Sequence, residues 1–402
     1  MASMQPLGGS TRCGRVLGPC LDKIIKNVAW RRHSHLVSAC KSAIDKLETL
    51  TELPSPSISS AIPSLADSDA NSLLSPLILA LETASPKVID PAMDALFRLF
   101  SLNLIRFDLD RSESNSNSVV YQLMESVCKC CSLGDEGIEL NVMKVLLSAV
   151  RSPNAVFRGD YLNHIVKICY NVYLGGLNGT NQICAKAVLA QIVLIVFARV
   201  EEDSMCVNNF KTVSVSELLE FTDRNLSEGN SVQLVQNLIN EVMEANQGVE
   251  EIKGSEKTQN GDVDDSGIKV EEKGEGADVG GSGNGDVDNN KQEASGESQL
   301  REDGFMLFKN LSKLSMKFSS QDHSDDQILL RGKIVSLELL KVIMDNGGPV
   351  WRTNDRQISE HYQTVFVLIL VEEQRFVSND HLPAPVFYFY ELIVQIQIRV
   401  ES

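Results

Sequence analysis

The side chains able to do chemistry in this 402-residue chain are six histidines, nine cysteines and scattered pairs of carboxylates. A tetrahedral metal site needs His and Cys gathered in sets of four. Cys128-x-x-Cys131, in a stretch that also holds Cys130, is a single pair with no second, and His33, His35, His164, His323, His361 and His381 form no ligand set with the cysteines. Structural thiols are the simpler reading, so no metal and no cofactor is expected. Neither G-x-S-x-G nor H-E-x-x-H occurs. Gly280 to Gly285 is rich in glycine but lacks the Gly-Lys-Ser/Thr of a phosphate loop. The Glu201-Glu202 pair lies at a helix end, where solvation accounts for it. No catalytic residue is expected, and the chain by itself reads as a non-enzyme.

One cluster does carry a binding expectation. The first fifty residues hold eight Lys/Arg against Asp22, Asp45 and Glu48. Lys23, Lys26, Arg31 and Arg32 could meet an anionic surface, either lipid or an acidic partner. Each such cation contributes only about 1 kcal/mol, so the contact would be weak, peripheral and salt-sensitive. The competing reading is a solvated helix end. Nucleic acid is not expected, because no aromatic stacking platform accompanies the charge.

The net charge of −17 is organised in blocks. Between Val249 and Asp303, sixteen acidic residues face six basic ones, a net of −10. The acidic total therefore says little about the folded parts. The cysteines lack the paired spacing of a disulfide framework and no secretory h-region follows Met1, so free thiols in a reducing cytosol are expected. Asn178, Asn225 and Asn310 match N-x-S/T, a match without weight in that compartment. The most apolar run, Ala187 to Val200, is interrupted by Gln191 and Arg199 and falls short of the roughly 18–20 residues that span a bilayer.

The elements that must position these residues read as helices. Leu17, Leu21, Ile24, Ile25 and Val28 repeat at helical spacing, as do Leu36, Cys40, Ala43, Ile44 and Leu47 after the break at Trp30 to His35. A Ser/Pro-rich loop follows from Thr51 to Ser64. Helices are then predicted along Leu73 to Leu81, from Ser85-Pro86 through Leu99, and over Val119–Cys131, Glu136–Arg151, Asp160–Leu174 and Ala185–Glu202, with shorter stretches near Ser216–Phe221 and Ser231–Ala245. The Ala185 helix is apolar nearly all round and belongs in the core. No β pattern is interposed. Residues 248–302 are too rich in Gly, Asp, Glu, Asn and Ser to offset ordering entropy and read as a disordered acidic linker. Helical spacing resumes at Phe305, and a second helix begins near Ser324-Asp325 and ends at Gly347-Gly348-Pro349. The expected fold class is all-α, an armadillo-like α-solenoid of stacked helix pairs, although no clean repeat of fixed period is present.

Two stretches carry a resemblance. Asn141 to Asp203, through Cys169-Tyr170-Asn171-Val172-Tyr173-Leu174, Asn181-Gln182, Ala185-Lys186-Ala187, Gln191, Val196-Phe197 and Arg199, resembles the dimerisation and cyclophilin-binding domain of the brefeldin A-inhibited guanine nucleotide-exchange proteins. Asp303 to Asn354 is similar to the region homologous upstream of the Sec7 exchange domain in the same family. The opening Gly14 to Leu47 and the Gly175-Gly176-x-Asn178-Gly179-Thr180 detail are similar to plant members. The resemblance implies a flexible N-terminus (1–14), a dimerisation and cyclophilin-binding-like domain (15–247), the acidic linker (248–302), the start of the upstream-homology region (303–356) and a divergent tail (357–402). It further implies a non-catalytic regulatory and dimerisation region of a large Arf exchange factor, acting in vesicle transport at trans-Golgi or endosomal membranes. Its partners would be proteins, through self-association or pairing with full-length exchange factors. The Sec7 domain itself is not expected within these residues. The other functional reading is a generic armadillo-like adaptor.

Overall fold

The computed structural model describes residues 7–29, 31–53, 56–57, 60–109, 118–207, 209–219, 223, 226, 229–245, 289–316 and 327–353. Among them the chain forms α1 (Arg12–Asn27), α2 (Ser34–Thr49), α3 (Asp67–Leu81), α4 (Pro86–Ser101), β1 (Phe107–Leu109), α5 (Val119–Cys130), α6 (Glu136–Arg151), β2 (Ala155–Phe157), α7 (Gly159–Gly175), α8 (Gly179–Glu202), α9 (Val215–Leu219), α10 (Gly229–Glu244), α11 (Asn289–Met316), α12 (Gln327–Asn346) and α13 (Pro349–Thr353). Trp30, the loop from 110 to 117, residues 248–288 of the expected linker and the expected tail from 357 lie outside the described residues.

The long helices pair and stack. α1 with α2, α3 with α4, α5 with α6, α7 with α8 and α11 with α12 form successive hairpins. One row runs α1–α4–α6–α8–α12, and the other runs α2–α3–α5–α7–α11, where Tyr121 on α5 meets Tyr161 on α7 edge-on at 5.6 Å. This is the solenoid-like all-α architecture that the helical periodicity implies. α10 lies outside the first row across α6 and α8. Helix starts are set by local chemistry: Thr11 accepts from Gly14 N–H, Asp135 from Ile138 N–H and Asn178 from Asn181 N–H, each satisfying a donor that the helix leaves orphaned.

α8 is the axis of the structure. Eighteen of its 24 residues are buried, and it touches α6, α7, α10, α11 and α12. By length and composition it could cross a membrane, yet 94% of its most apolar window is buried inside the protein, as its all-round apolarity predicts. The two polar residues that interrupt it are both bonded. Gln191 accepts Val213 N–H at 2.9 Å and donates to the Lys211 carbonyl at 2.9 Å. Arg199 donates to the Arg151 carbonyl at 2.9 Å, satisfying the end of α6, and burial lowers its pKa to about 10.

Three expectations need correction. The N-terminus is not loose from residue 7 onward: α1 begins at Arg12, and the backbone of Leu7 and Gly8 lies directly on Gly14 and Gly18, where a Cβ would clash with the carbonyl oxygens of Gly8 and Leu7 respectively. Gly14 and Gly18 stand where only glycine allows that approach. A β element is also present, a two-stranded parallel pair joining Phe107–Leu109 to Ala155–Phe157. Three residues are too short to show period-2 alternation in a sequence, and the pairing joins segments about fifty residues apart. Finally, α11 begins at Asn289, inside the expected linker. Gln, Glu, Lys and Ala in 291–299 are good helix formers, and they extend a helix anchored by Asp303, Leu307, Phe308 and Leu311, all buried.

Candidate functional site

The most unusual chemistry lies where α11–α13 dock onto α7 and α8. Lys186 sits two turns into α8 with 1% exposure. Its Nζ is 2.8 Å from Asp223 Oδ2 and 2.8 Å from Glu338 Oε2 on α12. Asp223 is buried as well and accepts the Tyr173 hydroxyl at 3.2 Å. Arg331, also on α12, stands 3.6 Å from Asp223 Oδ1, lies over the Tyr173 ring at 4.8 Å and donates to Gln182 Oε1 at 3.2 Å. Two cations and two carboxylates thus balance one another, with Lys186, Asp223 and Glu338 buried and Arg331 half-buried at the rim. Burial, reinforced by Asp223 and Glu338 and opposed by Arg331, pushes the Tyr173 phenol above its ordinary pKa, so it stays a hydrogen-bond donor. Such a cluster is costly to break, because either partner left alone is an uncompensated buried charge.

An aromatic lock flanks it. Trp351 on α13 is 2% exposed, edge-on to Phe197 of α8 at 4.7 Å and to Phe308 of α11 at 5.7 Å. The start of α13 is held by Glu201, whose carboxylate accepts Val350 N–H at 3.1 Å and Trp351 N–H at 3.4 Å. Glu201 is therefore a cap between elements rather than the solvated acid expected of it; Glu202 beside it is exposed. At the other end of the contact, Asp303 on α11 accepts Gly159 N–H at 2.7 Å and pairs with Arg158 at 3.2 Å. Burial raises its pKa, while Gly159 and Arg158 oppose the rise. Gly332 lets α12 close on α7, since a Cβ there would lie 2.5 Å from the Tyr170 hydroxyl.

These groups are arranged to hold rather than to react. Lys186, Asp223 and Glu338 are consumed by one another in the dry interior. A cavity of about 620 Å³ opens elsewhere, between α3, α5 and the strand pair, lined by Ser60, Asp67, Arg106, Asp108, Ser118 and Asn154 among others. The cysteines expected to be structural are free thiols, and eight of the nine are at least partly shielded, with only Cys206 exposed. Burial pushes Cys130 up to about 11 and Cys131 and Cys184 up to about 12.

Lys23, Lys26, Arg31 and Arg32 stay together at the C-terminal end of α1 and in the turn after it, all exposed and all remote from the docking contact. The fold also brings acids among them. Lys26 pairs with Asp22, and Lys23 lines a shallow cavity of about 300 Å³ with Asp90, Asp94, Asn141 and Lys144. Sequence reasoning passed over Lys186, Asp223, Arg331, Glu338 and Trp351 as site residues. One signal was available: a lysine in the most apolar helix must be paired.

The comparisons with known proteins fall on this architecture. Residues 11–204 match the dimerisation and cyclophilin-binding domain of Mon2/Sec7/BIG1-like proteins, from the cap of α1 to just past α8. Residues 300–380 match the HUS domain of the same proteins, so residues 357–380 of the stretch expected to diverge fall inside the match. The chain is 52% identical over 370 residues, 92% of its length, to brefeldin A-inhibited guanine nucleotide-exchange protein 1 of Arabidopsis thaliana. It is 48% identical over 379 residues to protein 4 of that plant, and 24% identical over 474 residues to protein 1 of Homo sapiens. The chain spans about a fifth of the length of the plant relatives, 20% and 21%. The docking interface described above thus joins the DCB region to the HUS region. Together the two domain matches take in well over half of the residues, and the chain belongs to the Mon2/Sec7/BIG1-like family as a plant-type N-terminal portion.

Proposed function

We propose that this chain is the regulatory and dimerisation portion of a large Arf guanine nucleotide-exchange factor, acting in vesicle-mediated transport at the trans-Golgi network or endosomes. It contributes no exchange chemistry itself. It binds protein partners, including a second copy or a longer exchange factor, and it rests at the membrane surface as a peripheral protein with Lys23, Lys26, Arg31 and Arg32 toward anionic groups. The observation that carries this reading is the docking of α11–α13 on α7 and α8 through the Lys186 cluster and Trp351. A regulatory platform must hold one shape while its partners change, and a balanced ion cluster with three buried members tolerates no partial engagement.

The experiment is nucleotide exchange on purified Arf by a full-length relative, measured alone and with this chain added. The chain is expected to be inactive by itself and to change the relative's rate. No change in rate, together with a monomeric mass by light scattering, would leave a generic armadillo-like adaptor as the better reading.

A further inference from the structure

The helix ends on one side of the solenoid form a continuous edge whose side chains have two characters. Asn27 at the end of α1 bonds the Lys87 carbonyl at the start of α4 (2.8 Å), and Asp90 on α4 bonds Asn141 on α6 (2.8 Å). Asn181 on α8 bonds the Glu136 carbonyl at the start of α6 (3.0 Å), and Thr180 bonds Ser231 at the start of α10 (2.7 Å). Arg331, one turn into α12, reaches Gln182. The C-terminus of α1 and the N-termini of α4, α6, α8, α10 and α12 therefore line up along one edge. Four interaxial steps make it roughly 35 Å long.

Six large apolar side chains among the described residues are more than a third exposed: Leu7, Leu53, Leu133, Leu177, Leu234 and Ile328. Four of them lie on this edge. Leu133 precedes α6, Leu177 precedes α8, Leu234 is one turn from Ser231 on α10, and Ile328 opens α12. The other two sit on the opposite edge, where Glu52 meets Arg12. Cations crowd the α1–α4 end of the same edge: Lys26, Arg31, Arg32 and Lys87 are all exposed, and Lys129 at the end of α5 is exposed beside Leu133. Among the described residues the acids along it include Asp22, paired with Lys26, Asp90, bonded to Asn141, Asp135, which caps α6, and the exposed Glu82 and Glu136.

The described residues that flank the acidic segment lie away from this edge. α10 runs parallel to α8, so the chain leaves it toward the far side, and α11 returns there, with Arg301 against Asp203 and Asp303 against Arg158. The end of α10 and Asp303, the described residues on either side of the stretch with a net charge of −10, therefore lie on the edge opposite the leucines.

We propose that this edge is a membrane-contact surface: Leu133, Leu177, Leu234 and Ile328 enter the interfacial layer of an anionic bilayer while Lys26, Arg31, Arg32 and Lys87 engage its headgroups. Isolated apolar side chains strung along a line suit a fluid surface. A protein partner is recognised instead through a clustered, well-packed centre. The proposal rests on the reading of the chain as a peripheral membrane protein, but it assigns a face and an orientation that the cations alone did not. It places the end of α10 and Asp303, which flank the acidic segment, on the side turned away from the bilayer.

The test is flotation of the whole chain with phosphatidylcholine vesicles, with and without phosphatidylserine, at low and high salt. Binding is expected only with phosphatidylserine and is expected to weaken with salt. Leu177→Asp with Leu234→Asp and Ile328→Asp should weaken it about tenfold or more, and Arg31→Glu with Arg32→Glu by about fivefold per residue. Leu7→Asp with Leu53→Asp, on the opposite edge, should leave it unchanged, and circular dichroism checks that each variant stays folded. No flotation by the wild type, or equal flotation by the leucine variant, would overturn the proposal. So would a leucine variant that changes the chain's mass in solution and not its flotation, because the edge would then be an interface between copies. No exchange factor enters the assay, so this proposal and the regulatory reading fail separately.

Discussion

At the scale of the residue, Lys186 shows how an ionised group can live in a protein interior. Its Nζ has two carboxylates at 2.8 Å, and Arg331 and the Tyr173 hydroxyl complete the balance around Asp223. The attraction within such a cluster is offset by the cost of drying all its members, so its net worth is small while its loss is not. Lys186→Met keeps most of the volume and removes the charge, leaving Asp223 and Glu338 facing each other across one arginine. A loss of about 3–5 kcal/mol is expected in urea unfolding. A loss under about 1 kcal/mol would mean that water reaches the site and that the cluster does not hold α12 to α8. The sequence alone marked Lys186 only as part of a familiar run, because its partners lie 37 and 152 positions away. Lys23, Lys26, Arg31 and Arg32 were legible for the opposite reason: their neighbourhood is local, and a run of like charge is visible without a fold.

At the scale of the element, the contact between α12 and α7 depends on one missing side chain. A Cβ at Gly332 would sit 2.5 Å from the Tyr170 hydroxyl and 3.6 Å from Leu174 Cδ1. Gly332→Ala raises helix propensity by roughly 1 kcal/mol, yet it should push α12 off its seat at a cost of about 1–3 kcal/mol, the range for overpacking. Hydrogen exchange separates the two effects. Amides of α12 should exchange faster while those of α1–α6 keep their protection. Slower exchange across α12 would mean that propensity wins and that the seat is loose. The helices themselves were readable from periodicity, and α8 from its all-round apolarity. The strand pair was not, since three-residue strands acquire their hydrogen bonds from a partner brought in by α5 and α6.

At the scale of the whole molecule, α8 serves both the DCB region and the HUS region. Phe197 and Lys186 face elements that return only after the acidic segment. A chain ending at residue 245 would expose the Phe197 face to water and leave the Lys186–Asp223 pair short of Glu338 and Arg331. It is expected to melt at a lower temperature than the whole chain and to bind a dye for apolar surface. Equal melting temperatures would make the second region a passenger on the first.

The sequence by itself determined most of the helical segments, where the apolar axis runs, which stretch carries the acidic charge and to which family the chain belongs. Those properties depend on local spacing, composition or long ordered similarity, and each can be read without knowing what lies across the fold. Only the tertiary structure decided that Glu201 is a cap, that Gly14, Gly18 and Gly332 are contact points, and that four of the six exposed apolar side chains share an edge with the cations. Each of these depends on which distant backbone or side chain arrives within a few ångströms. That is settled by how the helix pairs stack, a choice governed by packing of whole faces rather than by any one stretch of residues.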